Sequence, residues 1–400
     1  MRILLVCHRF PYPPTSGAKI RAFHMVRHLS SEHEVTVASL VRSQAEADDA
    51  VGIGKYCAAF HMERVHAPVQ AMRMLSRLPT STPSSFGYFY SASLDHGIRE
   101  LLARRSFDLA LAHSSSVAPY LDAVTQVPKI MDFCDMDSQK WLEYARYKRF
   151  PWSVAYGLEG RKLEREERRI ASRFDACTVA TPAEASTLAG FGTGTAIDWF
   201  PNGVDSQYFA PAGTPYDPDA LVFVGRMDYF PNVECMQRFC ADVLPRVRSV
   251  RSATTLTIVG ADPTRDARRL GRLPGVTVTG TVQDVRPYLH RAAAMVAPLN
   301  IARGTQNKIL EGMAAGVPVV TSRLAAGGVD ALADEHFLVA DTPDDHARAI
   351  VRVLNDPAER QRLALAGRAR MLSHHDWGRS MQRLDGIIER CVARRAARRP

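Results

Sequence analysis

The chain has 400 residues, 46% of them hydrophobic and 23% charged, which suits two ordinary globular domains and excludes a disordered or fibrous chain. Its 51 Lys and Arg against 42 Asp and Glu leave a formal charge of +9, and its 7 Cys, an odd number, argue against a disulfide frame or structural zinc. The opening run Met1–Cys7 is too short for a secretory signal, and no stretch of about 18 apolar residues exists to cross a bilayer, so a cytoplasmic protein is expected.

In chain order, Arg2–Cys7 reads as a buried strand, Pro11–Gly17 as a loop, and about Lys19–Leu29 as an amphipathic helix with Ile20, Phe23, Met25, Val26 and Leu29 inward. Glu34–Ala38 is a second strand, and the sequence strand, loop, helix, strand is a βαβ unit. Thr80–Ser93, rich in Ser, Thr, Pro and aromatics, reads as a loop or cap. Strands are predicted at Leu109–Ala112, Lys129–Met131 and Ala176–Val179, with 138–172 mostly helical and interrupted near Pro151. A second alternation runs through Leu221–Gly225, Thr255–Val259, Val276–Thr279, Ala294–Ala297 and Val317–Thr321. The turn-rich junction Phe200–Asp205 separates the two. The expected architecture is α/β, two doubly wound parallel-sheet domains over 1–200 and 201–376. Residues 377–400 form a last helix, with a basic tail, that crosses back to the first domain.

Four constellations carry chemistry. The first is Arg303-Gly304-Thr305-Gln306-Asn307-Lys308 leading into the helix that holds Glu311, with Thr305 expected as N-cap, Gly316 as left-handed cap and Pro318 as stop. A helix start beyond a strand's carboxyl end favours a phosphate. Lys308 and Glu311 share a helix face, so the cation suits a diphosphate and the carboxylate a ribose; the alternative is an ordinary i,i+3 ion pair. The second is Gly225-Arg226 at a strand end, where Gly225 permits close approach and Arg226 offers a fork for phosphate oxygens, unless it is merely a surface arginine. The third is the loop Arg9–Arg21, which puts Gly17 amides and Arg21 beside a ligand or is simply a turn; it lacks the dinucleotide fingerprint. The fourth is Asp132, Asp135 and Asp137, which bind sugar hydroxyls or supply a base, or else form an acidic first helical turn. Asp135 is the preferred functional candidate, and His113 is another, with a structural histidine as its alternative.

At these residues the chain resembles the family-4 retaining glycosyltransferases of GT-B fold. The matching segments are Pro201-Asn202-Gly203-Val204-Asp205, the Gly225-Arg226 turn, Gly280-Thr281-Val282 and Glu311-Gly312-Met313-Ala314-Ala315-Gly316-Val317-Pro318. More narrowly it is similar to sugar transferases of exosortase-associated exopolysaccharide loci, through His8–Pro14, Lys19-Ile20-Arg21, Met227–Asn232 and Ile301–Lys308. The resemblance implies two domains facing a central cleft, a nucleotide-diphosphate sugar donor held by the second and an acceptor by the first, with no metal and no other cofactor. It assigns Glu311 to the ribose, Arg226 to the diphosphate and Thr281–Asp284 to the base. This chain departs from the family at three places: Arg303 replaces the first of two paired glutamates, Cys134 stands where a histidine is usual, and no lysine follows Gly225-Arg226 near Pro231-Asn232.

The expected activity is therefore hexosyl transfer onto a glycan or lipid-linked glycan in exopolysaccharide synthesis, with Arg226 and Lys308 as a two-cation clamp on the leaving diphosphate. A sugar-nucleotide epimerase and a non-catalytic sugar-nucleotide binding protein are the rivals. Arg-rich stretches at Arg161–Arg173 and Arg390–Arg399 are either solvated faces or a peripheral contact with anionic membrane on the inner face of the plasma membrane. No basic–aromatic interleaving points to nucleic acid.

Overall fold

The short, β-branched-rich runs become thirteen strands in a computed structural model that describes residues 1–397. The first seven are β1 (Arg2–Cys7), β2 (Glu34–Val41), β3 (Ala59–Arg64), β4 (Leu109–His113), β5 (Lys129–Cys134), β6 (Ala176–Val179) and β7 (Ala196–Trp199). They form one parallel sheet in the order β3-β2-β1-β4-β5-β6-β7. The other six are β8 (Asp217–Val224), β9 (Thr255–Val259), β10 (Val276–Val278), β11 (Ala292–Ala297), β12 (Val319–Thr321) and β13 (Leu338–Val339), in the order β10-β9-β8-β11-β12-β13. Strands covered on both faces read as continuous apolar runs, and Ile3 to Cys7 are all fully buried.

The chain divides into two units, Met1–Pro201 joined by the stretch from Ser380, and Asn202–Arg379. In the first, Leu4, Val6, Ala110, Ala112, Met131 and Leu163 belong to one core; in the second, Phe223, Ile258, Met295, Ile309 and Val320 belong to another. The last helix, Trp377–Ala397, buries Met381, Leu384, Ile388 and Cys391, one helical stripe, in the first unit. Arg383 stacks 3.8 Å over the Trp199 ring, and Arg383 and Arg390 both bond Asp198. Part of the expected basic tail is thus tied into ion pairs, and Arg398 and Arg399 lie outside the described residues.

Several expected boundaries change. Thr80–Ser93 is not a loop: Ser84–Phe89 is a helix, and the helix Ala92–Arg104 begins inside the same stretch. Its start is fastened by the distant Glu159 carboxylate, which accepts from the Ser84 and Ser85 backbone N–H groups. Asp132 lies within β5 rather than beyond it, because that strand runs three residues further than its apolar core. Strands β3, β7 and β13 carry no apolar run long enough to be read. Among the described residues no helix is long and apolar enough to cross a membrane.

Candidate functional site

A doubly wound sheet opens a crevice where the chain reverses its direction of travel across the strands. In the second unit that point lies between β8 and β11, since β9 and β10 build one way and β12 and β13 the other. Both constellations of the second unit lie there. Gly225 and Arg226 follow β8, and the loop after β11 leads into the helix Asn307–Ala314.

That helix has Gln306 as N-cap, not Thr305, and no side chain caps it. Thr305 stands one position earlier with its hydroxyl buried and, among the described residues, unpartnered. Gly304 has φ +60°, and a Cβ on Gly328 would collide with its carbonyl oxygen, so two glycines let the loop backbones touch. No acidic residue occupies the first turn; the Ile309 N–H donates to the Gln306 carbonyl at 2.9 Å, which leaves the Asn307 and Lys308 N–H groups to meet an anion. At the other end Gly316, φ +71°, closes a Schellman motif: its N–H donates to the Met313 carbonyl and that of Val317 to Gly312.

Lys308 leaves the first turn and donates to Asn232 Oδ1 at 2.6 Å, its ammonium 4.5 Å from the Phe223 ring centroid. Asn232 in turn donates to the Arg226 carbonyl at 2.8 Å. A Cβ on Gly225 would lie 2.8 Å from Asn232 Nδ2 and 3.0 Å from Lys308 Nζ, so any larger residue there would push these two side chains out of place. Lys308 and Glu311 do not form the i,i+3 ion pair: among the described residues no carboxylate lies within 4.0 Å of the ammonium, and the Glu311 carboxyl accepts no hydrogen bond. Removal from water lowers Lys308 to about 8 and lifts Glu311 to about 7. Neither group has an opposite charge within 4.0 Å among the described residues.

Arg226 behaves differently. It is half exposed and already forked onto Asp228, with Nη2 also 2.7 Å from Asp262. It reaches a phosphate only by exchanging those carboxylates. Of the remaining candidates in the second unit, Arg303 and Gln306 line the loop, Gln306 Nε2 donating to the Arg303 carbonyl at 2.9 Å, and Asn307 Oδ1 accepts from Asn202 at 3.2 Å. Thr281 and Val282 follow β10, two strands away from β8, where Asp284 is held by Arg286 at 2.7 Å. Asn232 and Asp262 carry no local signal, since they meet Lys308 and Arg226 across 76 and 36 residues, whereas Asp228, two residues from Arg226, stands just after the Gly225-Arg226 turn and is assigned no role from the sequence.

The first unit's reversal point lies between β1 and β4. There His113 ends β4, and its Nδ1 sits 2.7 Å from Asp132 Oδ2. Asp132 also accepts from Arg21 Nε (2.9 Å), Arg21 Nη2 (3.0 Å) and Thr178 (2.9 Å). Burial alone would raise the Asp132 carboxyl, but the Arg21 charge and the His113 bond overcome it and hold it well below the usual range. Arg21 is therefore a correction: it is 1% exposed, stacked 3.5 Å over Phe200 and bonded to the Phe200 carbonyl, an internal tie instead of a ligand contact. Gly17 is the exposed first residue of its helix, after the N-cap Ser16.

Asp135 is brought close to His113 only through adjacent strand ends. Its Oδ1 is buried without a partner among the described residues, and burial with the neighbouring Glu184 raises it to about 7. His8 Nδ1 and Ser115 Oγ, at the ends of β1 and β4, are likewise buried and unsatisfied. Cys134 (φ +64°) and Ser114 (φ +81°) hold left-handed backbone at the neighbouring strand ends. Strain and orphaned polar atoms gathered at one crevice are features of a binding site.

Residues 218–356 match the glycosyl transferases group 1 family. Glycogen synthase of Mycobacterium tuberculosis is 34% identical over 214 residues, covering 50% of each chain. A GDP-mannose-dependent alpha-(1-6)-phosphatidylinositol monomannoside mannosyltransferase of Mycolicibacterium smegmatis is 30% identical over 258 residues, 58% of this chain and 65% of that one. The chain thus spans about half to two thirds of the curated relatives it matches. Sucrose-phosphate synthase from Thermosynechococcus elongatus superposes with a TM-score of 0.73 at 17% identity, over 98% of this chain and 99% of that one. Anabaena HepE, crystallised in complex with UDP, does so at 0.69 and 14%, over 97% and 100%. The family match lies within the second unit, and the chain's two Rossmann-like parallel-sheet domains have the GT-B fold of these structural neighbours.

Proposed function

We propose that the chain is a retaining glycosyltransferase that needs no metal and takes a nucleoside-diphosphate sugar as donor. The observation that carries the reading is Lys308, a half-buried ammonium without a carboxylate partner, beside an uncapped helix start and the bare backbone of Gly225. A diphosphate satisfies all three at once. Its oxygens accept from the first-turn N–H groups and from Lys308, and Glu311 accepts from the ribose hydroxyls. The ammonium occupies the neighbourhood of Asn232, where relatives of the resembled family place a lysine after the Gly-Arg turn.

As the bond from the anomeric carbon to the diphosphate oxygen breaks, negative charge grows on the leaving group. The two fixed donors, Lys308 and the helix N-terminus, stabilise it more than they stabilise the ground state. Arg226 adds a third when it leaves Asp228 and Asp262. The acceptor hydroxyl attacks from the leaving-group face and its proton passes to a phosphate oxygen, which preserves the anomeric configuration.

Acceptor recognition is assigned to His113 and Asp135, the acceptor being a glycan or lipid-linked glycan of an exopolysaccharide. The lipid-linked choice is supported by Phe150 (83% exposed), Trp152 (64%) and Leu158 (54%), apolar side chains in water beside Arg149 and Arg161. The test is incubation with a panel of nucleotide sugars, with and without membrane lipid extract and with and without chelator. Acceptor-dependent nucleotide release that survives the chelator supports the transferase. Donor isomerisation without acceptor supports an epimerase, and binding without release a scaffold.

A further inference from the structure

The edge of the first sheet opposite to its crevice also holds a cavity, of about 450 Å³. It opens where the chain enters β5, β6 and β7, at their amino ends, and the last helix closes one side. Val124, Phe174 and Cys391 are buried in its wall. Four cations line it, Lys129, Arg173, Arg394 and Arg395, against one carboxylate, Asp175.

Asp175 is already engaged, accepting from the Lys129 backbone N–H at 2.9 Å and from Arg395 at 3.3 Å. Arg173 is paired with Asp122 at 3.2 Å. Lys129 is the anomaly: it is 8% exposed, yet among the described residues no carboxylate lies within 4.0 Å of its ammonium. That ammonium spends one of its three donors on the Leu121 carbonyl, 3.2 Å away, and lies 5.1 Å from the Phe174 ring centroid. A buried lysine is ordinarily paired. Burial lowers its affinity for the proton, which an arriving anion would reverse. Thr193, also in the wall, has its hydroxyl buried and unpartnered among the described residues.

We propose that this cavity binds a phosphate-bearing anion, with Lys129 on its floor and Arg394 and Arg395 at its mouth. It is a second anion site, in a different unit from Lys308 and independent of it. The shared chemistry of the ligand is a phosphate group, which a lipid headgroup and a soluble phosphate compound both supply.

The test is calorimetry of the full chain with inorganic pyrophosphate and, separately, with monomeric short-chain phosphatidate. Lys129→Met keeps the buried stem and removes the charge, and should weaken binding at least tenfold (~1.4 kcal/mol). Arg394→Ala, at an exposed position that packing does not need, should weaken it severalfold, so a misfolded Lys129→Met would not leave the question open. Lys308→Ala should leave this binding intact. Tighter binding of phosphatidate than of pyrophosphate identifies a headgroup, and the reverse a soluble phosphate. Pyrophosphate binding that vanishes with Lys308→Ala and survives both Lys129→Met and Arg394→Ala would overturn the proposal, as would no binding of either probe.

Discussion

Replacing Lys308 with methionine should separate stability from activity. A fall from the ordinary 10.5 to about 8 corresponds to roughly 3 kcal/mol by which the folded protein disfavours the charged form. Methionine removes that penalty while filling the same space over Phe223. Against this, Asn232 Oδ1 loses its donor, which costs about 1–3 kcal/mol. The net is a variant between unchanged and roughly 2 kcal/mol more stable at pH 7. Turnover should nonetheless fall about 10²–10³-fold, the loss typical of one fixed donor at a developing anion. The pH dependence gives a second signature. Unfolded lysine holds its proton more tightly than folded Lys308, so wild-type stability should rise between about pH 8 and 10.5, and the variant should lack that part of the rise. Urea unfolding across this range, with nucleotide release as the activity assay, measures all three. A variant destabilised by more than about 1 kcal/mol that turns over at near wild-type rate would make Lys308 a structural residue and refute the reasoning.

Gly225→Ala should impair donor binding without unfolding the second unit, because its Cβ meets mobile side-chain ends, Asn232 Nδ2 and Lys308 Nζ, at 2.8 and 3.0 Å; a KM raised at least tenfold checks it. Glu311→Gln should weaken donor affinity and also stabilise the fold above neutral pH. Folded Glu311 titrates at about 7 against an ordinary 4.5, so its contribution falls as pH rises from 4.5 through 7, and glutamine removes that fall, which melting curves at pH 5 and 8 detect. Asp132→Ala strands the buried Arg21 charge and should cost about 3–5 kcal/mol, seen as early unfolding of the first unit.

The strands that fill both sheet centres are legible because burial on two faces forces a continuous apolar run: the runs Arg2–Cys7, Ala176–Val179 and Thr255–Val259 coincide with strands to the residue. The edge strand Ala59–Arg64 is not, since it is half-buried and carries His61, Glu63 and Arg64, and Leu338–Val339 is too short to show a period. The helix Ser84–Phe89 reads as loop because Ser, Phe and Tyr are weak helix formers, and the carboxylate that fastens it comes from Glu159. The same limit applies to the sites. Local spacing located the helix start at Thr305–Lys308 and the Gly225 turn, both local signals. It offered Arg21 as a ligand contact because Asp132, its partner, lies 111 residues on, and it passed over Asn232, which meets Lys308 across 76 residues.

Co-crystals with a nucleoside-diphosphate sugar test the central claim most directly. The account places the diphosphate against the first turn of Asn307–Ala314, with oxygens within about 3 Å of Lys308 Nζ and of backbone N–H groups there, and the ribose on Glu311. A donor bound in another position, with the Lys308–Asn232 bond undisturbed and the helix start empty, would contradict it.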